Sequence, residues 1–312
     1  MNTQALVSIA MATYNGDEFL KEQLDSIYAQ SYKNIEVIVC DDCSSDKTIE
    51  ILKMYEIKYG LKYYMNEQNL GYVKNFERAI NLCNGDYIAL ADQDDIWLEN
   101  KIEFLLANIE DNLLIHSDCE LIDENGQTIS KTWKNELKSH KVFEDFLFSN
   151  VATGCTIMFK KKLLERILPF PEGLTYHDWY LSINAAKDNK IVYINKPLIK
   201  YRQHINQNTS AYIEGKFQAL IINKILRFKG NTIRRQTIYE TQVKNLYALK
   251  SMYLNFDNEK ITKIDEAIIY FENYLNSLIH FKTFLIGCKN SSHIYFNKNP
   301  FFIKNIINDI IG

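Results

Sequence analysis

Apolar runs and amphipathic stretches alternate through the first 120 residues. Val7–Ala12 and Ile35–Cys40 are short, apolar and rich in β-branched side chains, as expected of strands buried on both faces. Between them Phe19, Leu20, Gln23, Leu24, Ile27 and Tyr28 recur at helical spacing. Thr48–Tyr59 repeats that pattern behind Ser44-Ser45-Asp46, a run of N-capping residues. Further strands are predicted at Leu61–Met65, Tyr87–Ala91 and Leu113–Ser117, with helices at Tyr72–Leu82 and Leu98–Asn108. Such alternation predicts an α/β fold with a mostly parallel sheet and helices on both faces.

From about Leu121 the pattern changes. Asp123-Glu124-Asn125-Gly126 reads as a turn between two strands. Val151–Phe159 reads as a strand interrupted by Gly154, Tyr176–Ala186 as a helix, and Ile191–Ile194 and Leu198–Tyr201 as two more strands. Beyond about Thr209 the chain reads as wholly helical, with breaks at Gly230-Asn231 and Asn255–Asn258. The expected organisation is an α/β domain over 1–208, divisible into 1–120 and 121–208, followed by a helical region over 209–312.

In parallel α/β sheets ligands bind beyond the carboxyl ends of the strands. Each of the first four predicted strands is followed there by polar residues: Thr13-Tyr14-Asn15-Gly16, Asp41-Asp42-Cys43-Ser44-Ser45-Asp46, Asn66 to Gly71, and Asp92-Gln93-Asp94-Asp95. One such loop would carry no information; four in succession point to a site.

Composition narrows the class. Hydrophobic residues are 46% and charged residues 24% of the 312, a globular balance, and the formal net charge of -3 supplies no basic field for nucleic acid. Met1 to Gln4 carry no basic stretch feeding an apolar run, and the apolar segments fall short of the roughly 20 residues needed to span a bilayer. A cytoplasmic location is therefore expected. Six cysteines in this length do not form a disulfide framework. The Cys40-Asp41-Asp42-Cys43 spacing is read as incidental, because two carboxylates between the thiols oppose thiolate formation. The stretch 215–239 is basic, with Lys216, Lys224, Arg227, Lys229, Arg234 and Arg235 and no acidic residue. It suits either peripheral contact with the inner face of the cell membrane or packing against the first domain or a second subunit in a homodimer.

Three carboxylates in the four residues Asp92-Gln93-Asp94-Asp95 repel one another unless a cation is present. Oxygen donors of this kind suit Mg2+ or Mn2+, which complete their shells with water and substrate phosphates. Asp41 and Asp42 form a second pair, equally suited to accepting hydrogen bonds from a ribose or base and to capping the helix that follows.

Taken together, Val7-Ser8-Ile9-Ala10-Met11-Ala12-Thr13-Tyr14-Asn15-Gly16, Asp41-Asp42-Cys43-Ser44-Ser45-Asp46, Asn69-Leu70-Gly71 with Lys74-Asn75-Phe76, Asn84-Gly85-Asp86-Tyr87-Ile88 and Ala91-Asp92-Gln93-Asp94-Asp95-Ile96-Trp97 resemble family 2 glycosyltransferases of the GT-A fold. The last string is similar to the bacterial rhamnosyltransferase-type branch that builds surface polysaccharides. The resemblance spans about residues 6–205. Cys43 stands where the family usually has glycine.

This resemblance implies an inverting transferase with a nucleotide-sugar donor, UDP- or dTDP-linked, and a glycan or lipid-linked glycan acceptor. It places Ala12, Tyr14, Asp41, Asp42, Asn69, Lys74, Asn75, Asp92, Gln93 and Arg202 around the nucleotide sugar, and Asp92, Asp94 and His204 around a divalent metal, Mn2+ or Mg2+. Tyr176-His177-Asp178-Trp179 resembles the element whose aspartate is the general base, which makes Asp178 the base and His177 a residue orienting its loop. Three other readings are weaker. A sugar nucleotidyltransferase or a dehydrogenase would need a glycine-rich phosphate loop after the first strand, and Thr13-Tyr14-Asn15-Gly16 is not one. An inactive nucleotide- or glycan-binding module is disfavoured by the joint presence of Asp92, Asp94 and Asp178.

Overall fold

The computed structural model describes residues 4–133, 142–148, 150, 152–204, 222–253 and 258–290. The chain divides into two compact units, Met1–Ile213 and Glu214–Gly312. In the first unit β1 (Val7–Thr13), α1 (Leu20–Tyr28), β2 (Ile35–Asp41), α2 (Thr48–Tyr59), β3 (Lys62–Met65), α3 (Tyr72–Asn81) and β4 (Tyr87–Ala91) alternate as expected. There follow β5 (Ile96–Trp97), α4 (Lys101–Asn108), β6 (Leu114–Ile122), β7 (Thr128–Ser130), α5 (Phe143–Phe148), β8 (Ile157–Lys160), α6 (Leu164–Ile167), α7 (His177–Ala186) and β9 (Ile191–Arg202). The second unit contains α8 (Ile222–Tyr253) and α9 (Asn258–Asn290).

One mixed sheet runs in the order β3-β2-β1-β4-β8-β6-β9-β5, with β7 paired to β6. Strands β3, β2, β1 and β4 are all parallel, so their carboxyl ends share one edge. Beyond β4 the sheet alternates direction. β8 is antiparallel to β4, and β6 is antiparallel to β8 but parallel to β9. The amino end of β8 and the carboxyl end of β9 therefore arrive at that same edge. Burial drives this arrangement: in β1 every residue but Ala12 is buried, and α1 turns Leu20, Gln23, Leu24 and Ile27 inward.

Four elements differ from the sequence reading. Gly154–Thr156 form a single 3-10 turn rather than strand, and only Ile157–Lys160 extend the sheet. The predicted helix at Leu98 starts at Lys101, because Ile96 and Trp97 pair with β9 and Leu98 N donates to Leu198 O at 3.0 Å. The two predicted strands at 191–201 are one, β9, whose register against β6 slips from Ile194 to Pro197. A proline has no N–H to give the ladder, and a bulge there keeps the strand going. Gly230-Asn231 do not break α8; one glycine costs a helix only about 1 kcal/mol. The other expected break falls partly outside the described residues, at 254–257, with α8 ending at Tyr253 and α9 opening at Asn258. Of the basic stretch 215–239, residues 215–221 lie outside the described residues. Among the described residues no helix is long and apolar enough to cross a membrane.

Candidate active site

A cavity of about 630 Å3 opens at the shared carboxyl edge. Its walls include Ala12, Tyr14, Asp42, Asn69, Asn75, Asp92, Gln93, Asp94, Asp178 and His204, ten of the residues singled out in the sequence. The topology explains their convergence. The end of β1 supplies Ala12, the loops after β1, β2, β3 and β4 supply Tyr14, Asp42, Asn69, Asp92, Gln93 and Asp94, the first turn of α3 supplies Asn75, the first turn of α7 supplies Asp178, and the residues beyond β9 supply His204.

Three others do not reach this cavity wall. Asp41 is fully buried; its Oδ2 accepts from Thr13 Oγ1 at 2.9 Å and from Ser44 Oγ at 2.5 Å, and its Oδ1 from Ser44 N at 2.9 Å. Lys74 turns away to Glu77 Oε2 at 2.6 Å and Phe170 O at 3.2 Å. Arg202 is 2% exposed and lies beneath the acidic loop. Its Nε donates to Asp94 O at 2.8 Å, a terminal nitrogen to Glu124 O at 3.0 Å, and the other pairs with Glu22 Oε2 at 2.5 Å. Its backbone N–H donates to Asp95 Oδ1 at 3.0 Å, and its guanidinium lies 4.5 Å from the Phe19 ring centroid. Arg202 thus shapes the loop by holding its backbone. Arg202→Met removes a buried guanidinium together with the loop contacts it makes and is expected to cost about 3 kcal/mol. Chemical denaturation measures this, and a loss below about 1 kcal/mol would contradict it.

The nucleotide-side loops are tied to one another. Gln93 clasps Tyr14, taking Tyr14 N–H on Oε1 at 2.9 Å and giving Nε2–H to Tyr14 O at 3.1 Å, while the Tyr14 side chain stays 52% exposed. A Cβ on Gly16 would come within 2.4 Å of the Gln93 amide oxygen, so the clasp requires glycine there. Asp42 accepts from Asn66 Nδ2 at 2.7 Å, Leu70 N at 2.7 Å and Gly71 N at 2.9 Å, which fixes the loop carrying Asn69. Asn75 spends its amide on Cys40 O and Asn66 Nδ2. Cys43 adopts φ +68°, the left-handed region that favours glycine, and its Sγ donates to Asn66 O at 3.3 Å.

Asp92 and Asp94 face the cavity, and His204 Nε2 lies 2.8 Å from Asp94 Oδ2. Burial, reinforced by the charges of Asp94 and Asp178, pushes Asp92 up to about 7. Asp95 is fully buried and driven well above the usual carboxylate range by burial, with Asp94 and Asp92 adding to it. Its Oδ2 has no hydrogen-bond partner among the described residues. Donor atoms of Asp92, Asp95 and Cys155 lie within 4.8 Å of one another, but burial pushes the Cys155 thiol well up and keeps it protonated. Carboxylates with an imidazole suit a divalent cation such as Mn2+, and a cation there would offset the burial and the neighbouring charges that raise Asp92.

Asp178 is half-buried and enters the same cavity. Its Oδ1 accepts from Asn150 Nδ2 at 3.0 Å and Trp179 N at 2.7 Å, and its Oδ2 from Gly154 N at 3.1 Å. Tyr72 at the head of α3 donates to Thr175 O, anchoring the approach to Asp178. Sequence reading overlooked several contributors. Phe76 stacks on His177 with centroids 4.1 Å apart, and neither ring nitrogen of His177 has a partner among the described residues. Burial lowers the His177 pKa against the opposing pull of Asp178, so the ring is neutral. Tyr72 and Asn150 follow ordinary helix and loop patterns, their sole signal being position directly after Asn69-Leu70-Gly71 or shortly before Gly154, while Phe76 stood in the string Lys74-Asn75-Phe76 with no role of its own.

Residues 8–168 match the profile of Glycosyl transferase family 2. Over 258 residues the chain is 31% identical to dTDP-rhamnosyl transferase RfbG of Shigella flexneri, covering 75% of this chain and 87% of that protein. Over 220 residues it is 30% identical to the Escherichia coli UDP-Glc:alpha-D-GlcNAc-diphosphoundecaprenol beta-1,3-glucosyltransferase WfgD, covering 69% and 82%. Among solved structures it resembles the mannosyltransferase PcManGT of Pyrobaculum calidifontis, determined with GDP-Man and Mn2+, at TM-score 0.52 and 18% identity over 91% of this chain and 81% of that one.

Proposed function

The chain belongs to glycosyl transferase family 2, and we propose that it is an inverting glycosyltransferase carrying a sugar from a UDP- or dTDP-linked donor to a hydroxyl of a bacterial glycan or lipid-linked oligosaccharide. Its scaffold is the GT-A fold, with a helical C-terminal part. One observation carries the reading. The Asp92–Asp94 loop and Asp178 open into one cavity, close enough that the charge of Asp178 raises Asp92.

The cavity wall divides into roles. Tyr14 offers an exposed ring for a base, and Asp42 and Asn69 present the loop beside it. Asp92, Asp94 and His204 would hold a divalent cation, Mn2+ or Mg2+, and the mannosyltransferase of like fold was determined with Mn2+. When bound, the cation supplies countercharge to a diphosphate leaving group. Asp178 takes the proton of the acceptor hydroxyl as its oxygen bonds to the anomeric carbon and the bond to the diphosphate breaks. A carboxylate offers about four lone-pair sites, and the three donors found on Asp178 leave one for this proton. The acceptor is argued from the glucosyltransferase relative, whose name states a diphosphoundecaprenol-linked sugar.

Thermal-shift measurements against UDP-, dTDP- and GDP-sugars with and without Mn2+ test the reading. Stabilisation by a UDP- or dTDP-linked donor, larger with Mn2+, is expected; no shift with any donor would refute it. The ion's contribution depends on pH with a definite sign. Asp92 is raised to about 7, so the free folded chain keeps its proton between the ordinary carboxylate value and about 7. The stability from that protonated group is lost as pH rises through about 7, while cation binding, which needs the carboxylate, strengthens. The Mn2+-induced shift in Tm should grow from about pH 5.5 to about 7 and then level off. A shift independent of pH in that range would remove Asp92 from the cation site.

A further inference from the structure

Lys101 is a buried amine that the reaction as described does not use, its pKa lowered to about 7 by burial. It opens α4, its side chain is fully buried, and its Nζ lies 3.5 Å from the centroid of the Trp97 ring. Burying an ammonium is costly unless charge and hydrogen bonds compensate it. Two kinds of compensation are present. The face of the Trp97 ring, two residues beyond the acidic loop, meets Nζ, and Nζ donates to the backbone oxygen of Cys155 at 2.5 Å. Cys155 sits in the 3-10 turn Gly154–Thr156, and the N–H of its neighbour Gly154 donates to Asp178 Oδ2 at 3.1 Å. A continuous path of contacts thus runs from Trp97, two residues beyond the acidic loop, through Lys101 and the turn to Asp178.

We infer that Lys101 is a positioning residue that fastens the turn holding Asp178 to the acidic loop on the donor side, so that base and donor carboxylates keep one fixed spacing. Proximity catalysis needs such a spacing, because a small displacement of a reacting group costs far more in turnover than in binding. A lysine serves here because its long arm carries an amine that donates to a carbonyl oxygen on one side and meets an aromatic face on the other. This inference rests on Asp178 being the base.

The test compares Lys101→Met with the parent. Turnover of UDP-glucose and dTDP-rhamnose is followed by release of the nucleoside diphosphate, and binding of UDP with Mn2+ by calorimetry. Expected is a fall in kcat of about 30-fold or more with UDP affinity within about threefold, the split of a group that acts on the transition state through another. In an Asp178→Asn background the same substitution should add less than about threefold, because both changes disable one unit. A crystal structure of the variant should show the Asp178 carboxylate displaced. Parent-like kcat in a folded variant would overturn the inference, as would an undiminished effect in the Asp178→Asn background or a loss of UDP affinity matching the loss of kcat. Should Lys101→Met not fold, Lys101→Gln keeps the pocket polar with an arm too short for Cys155 O, and the same expectations and reversals apply to it. Failure of the parent to turn over any donor would instead refute the proposed function.

Discussion

Replacing Asp178 by Asn is expected to lower kcat for sugar transfer by about 10^3-fold, within the range that loss of a general base produces. Donor binding should change little, because the cavity wall on the nucleotide side is built from other loops. The substitution is not perfectly silent in structure. One oxygen of Asp178 accepts from Asn150 and Trp179 and the other from Gly154, so the new amide NH2 must face a donor on one side or the other. A stability loss of about 1–2 kcal/mol is expected from that conflict. Steady-state kinetics beside a denaturation curve separates the two effects. A variant retaining more than a tenth of parental kcat would show that Asp178 is not the base, whatever its stability.

Asp94→Ala is expected to abolish the Mn2+-dependent part of donor binding and to reduce kcat/KM by about 10^2 to 10^3-fold, the scale of losing one preorganised electrostatic contact to a developing charge. The side chain carries two jobs at once. It faces the cavity, and its Oδ2 meets His204 at 2.8 Å, so its removal also frees the imidazole. Global stability should fall little, since Arg202 grips the backbone oxygen of Asp94 rather than its carboxylate. Isothermal titration with the nucleoside diphosphate, with and without Mn2+, makes the comparison. If the metal enhancement survives in Asp94→Ala, the cation is held elsewhere on this edge. Asp95 is poorly suited to replace it: one oxygen accepts the Arg202 N–H, and burial drives the group well above the usual carboxylate range.

Paired residues show why some assignments were legible in the sequence and others were not. Asp41 and Asp42 are adjacent and chemically identical, and sequence reasoning left capping and ligand binding equally open for both. The strand pleat separates them: Asp41 is turned under the loop to Thr13 and Ser44, while Asp42 remains on the cavity wall. Lys74 and Asn75 differ in the same way, because successive residues of a helix point in different directions, and Lys74 is carried off to Glu77. The family resemblance set Arg202 beside the nucleotide sugar and His204 beside the metal. Only the approach of the acidic loop over the end of β9 puts His204 on Asp94 and leaves Arg202 beneath, saturated by backbone oxygens.

What the amino-acid order determined by itself was local: the strand–helix alternation, the parallel run of the first four strands, and the polar loops at their carboxyl ends. These follow from hydrophobic periodicity and from residues that cap and turn, whose causes lie within a few positions of one another. What tertiary structure alone decided was which distant groups meet. The reversal of direction at β8 and the parallel pairing of β6 with β9 bring Gly154, Asp178 and His204 to the edge where Asp92 and Asp94 already stand. The electrostatic character of Asp92, Lys101 and His177 was set there too, because burial and neighbouring charge are properties of the folded interior and have no counterpart in a linear chain.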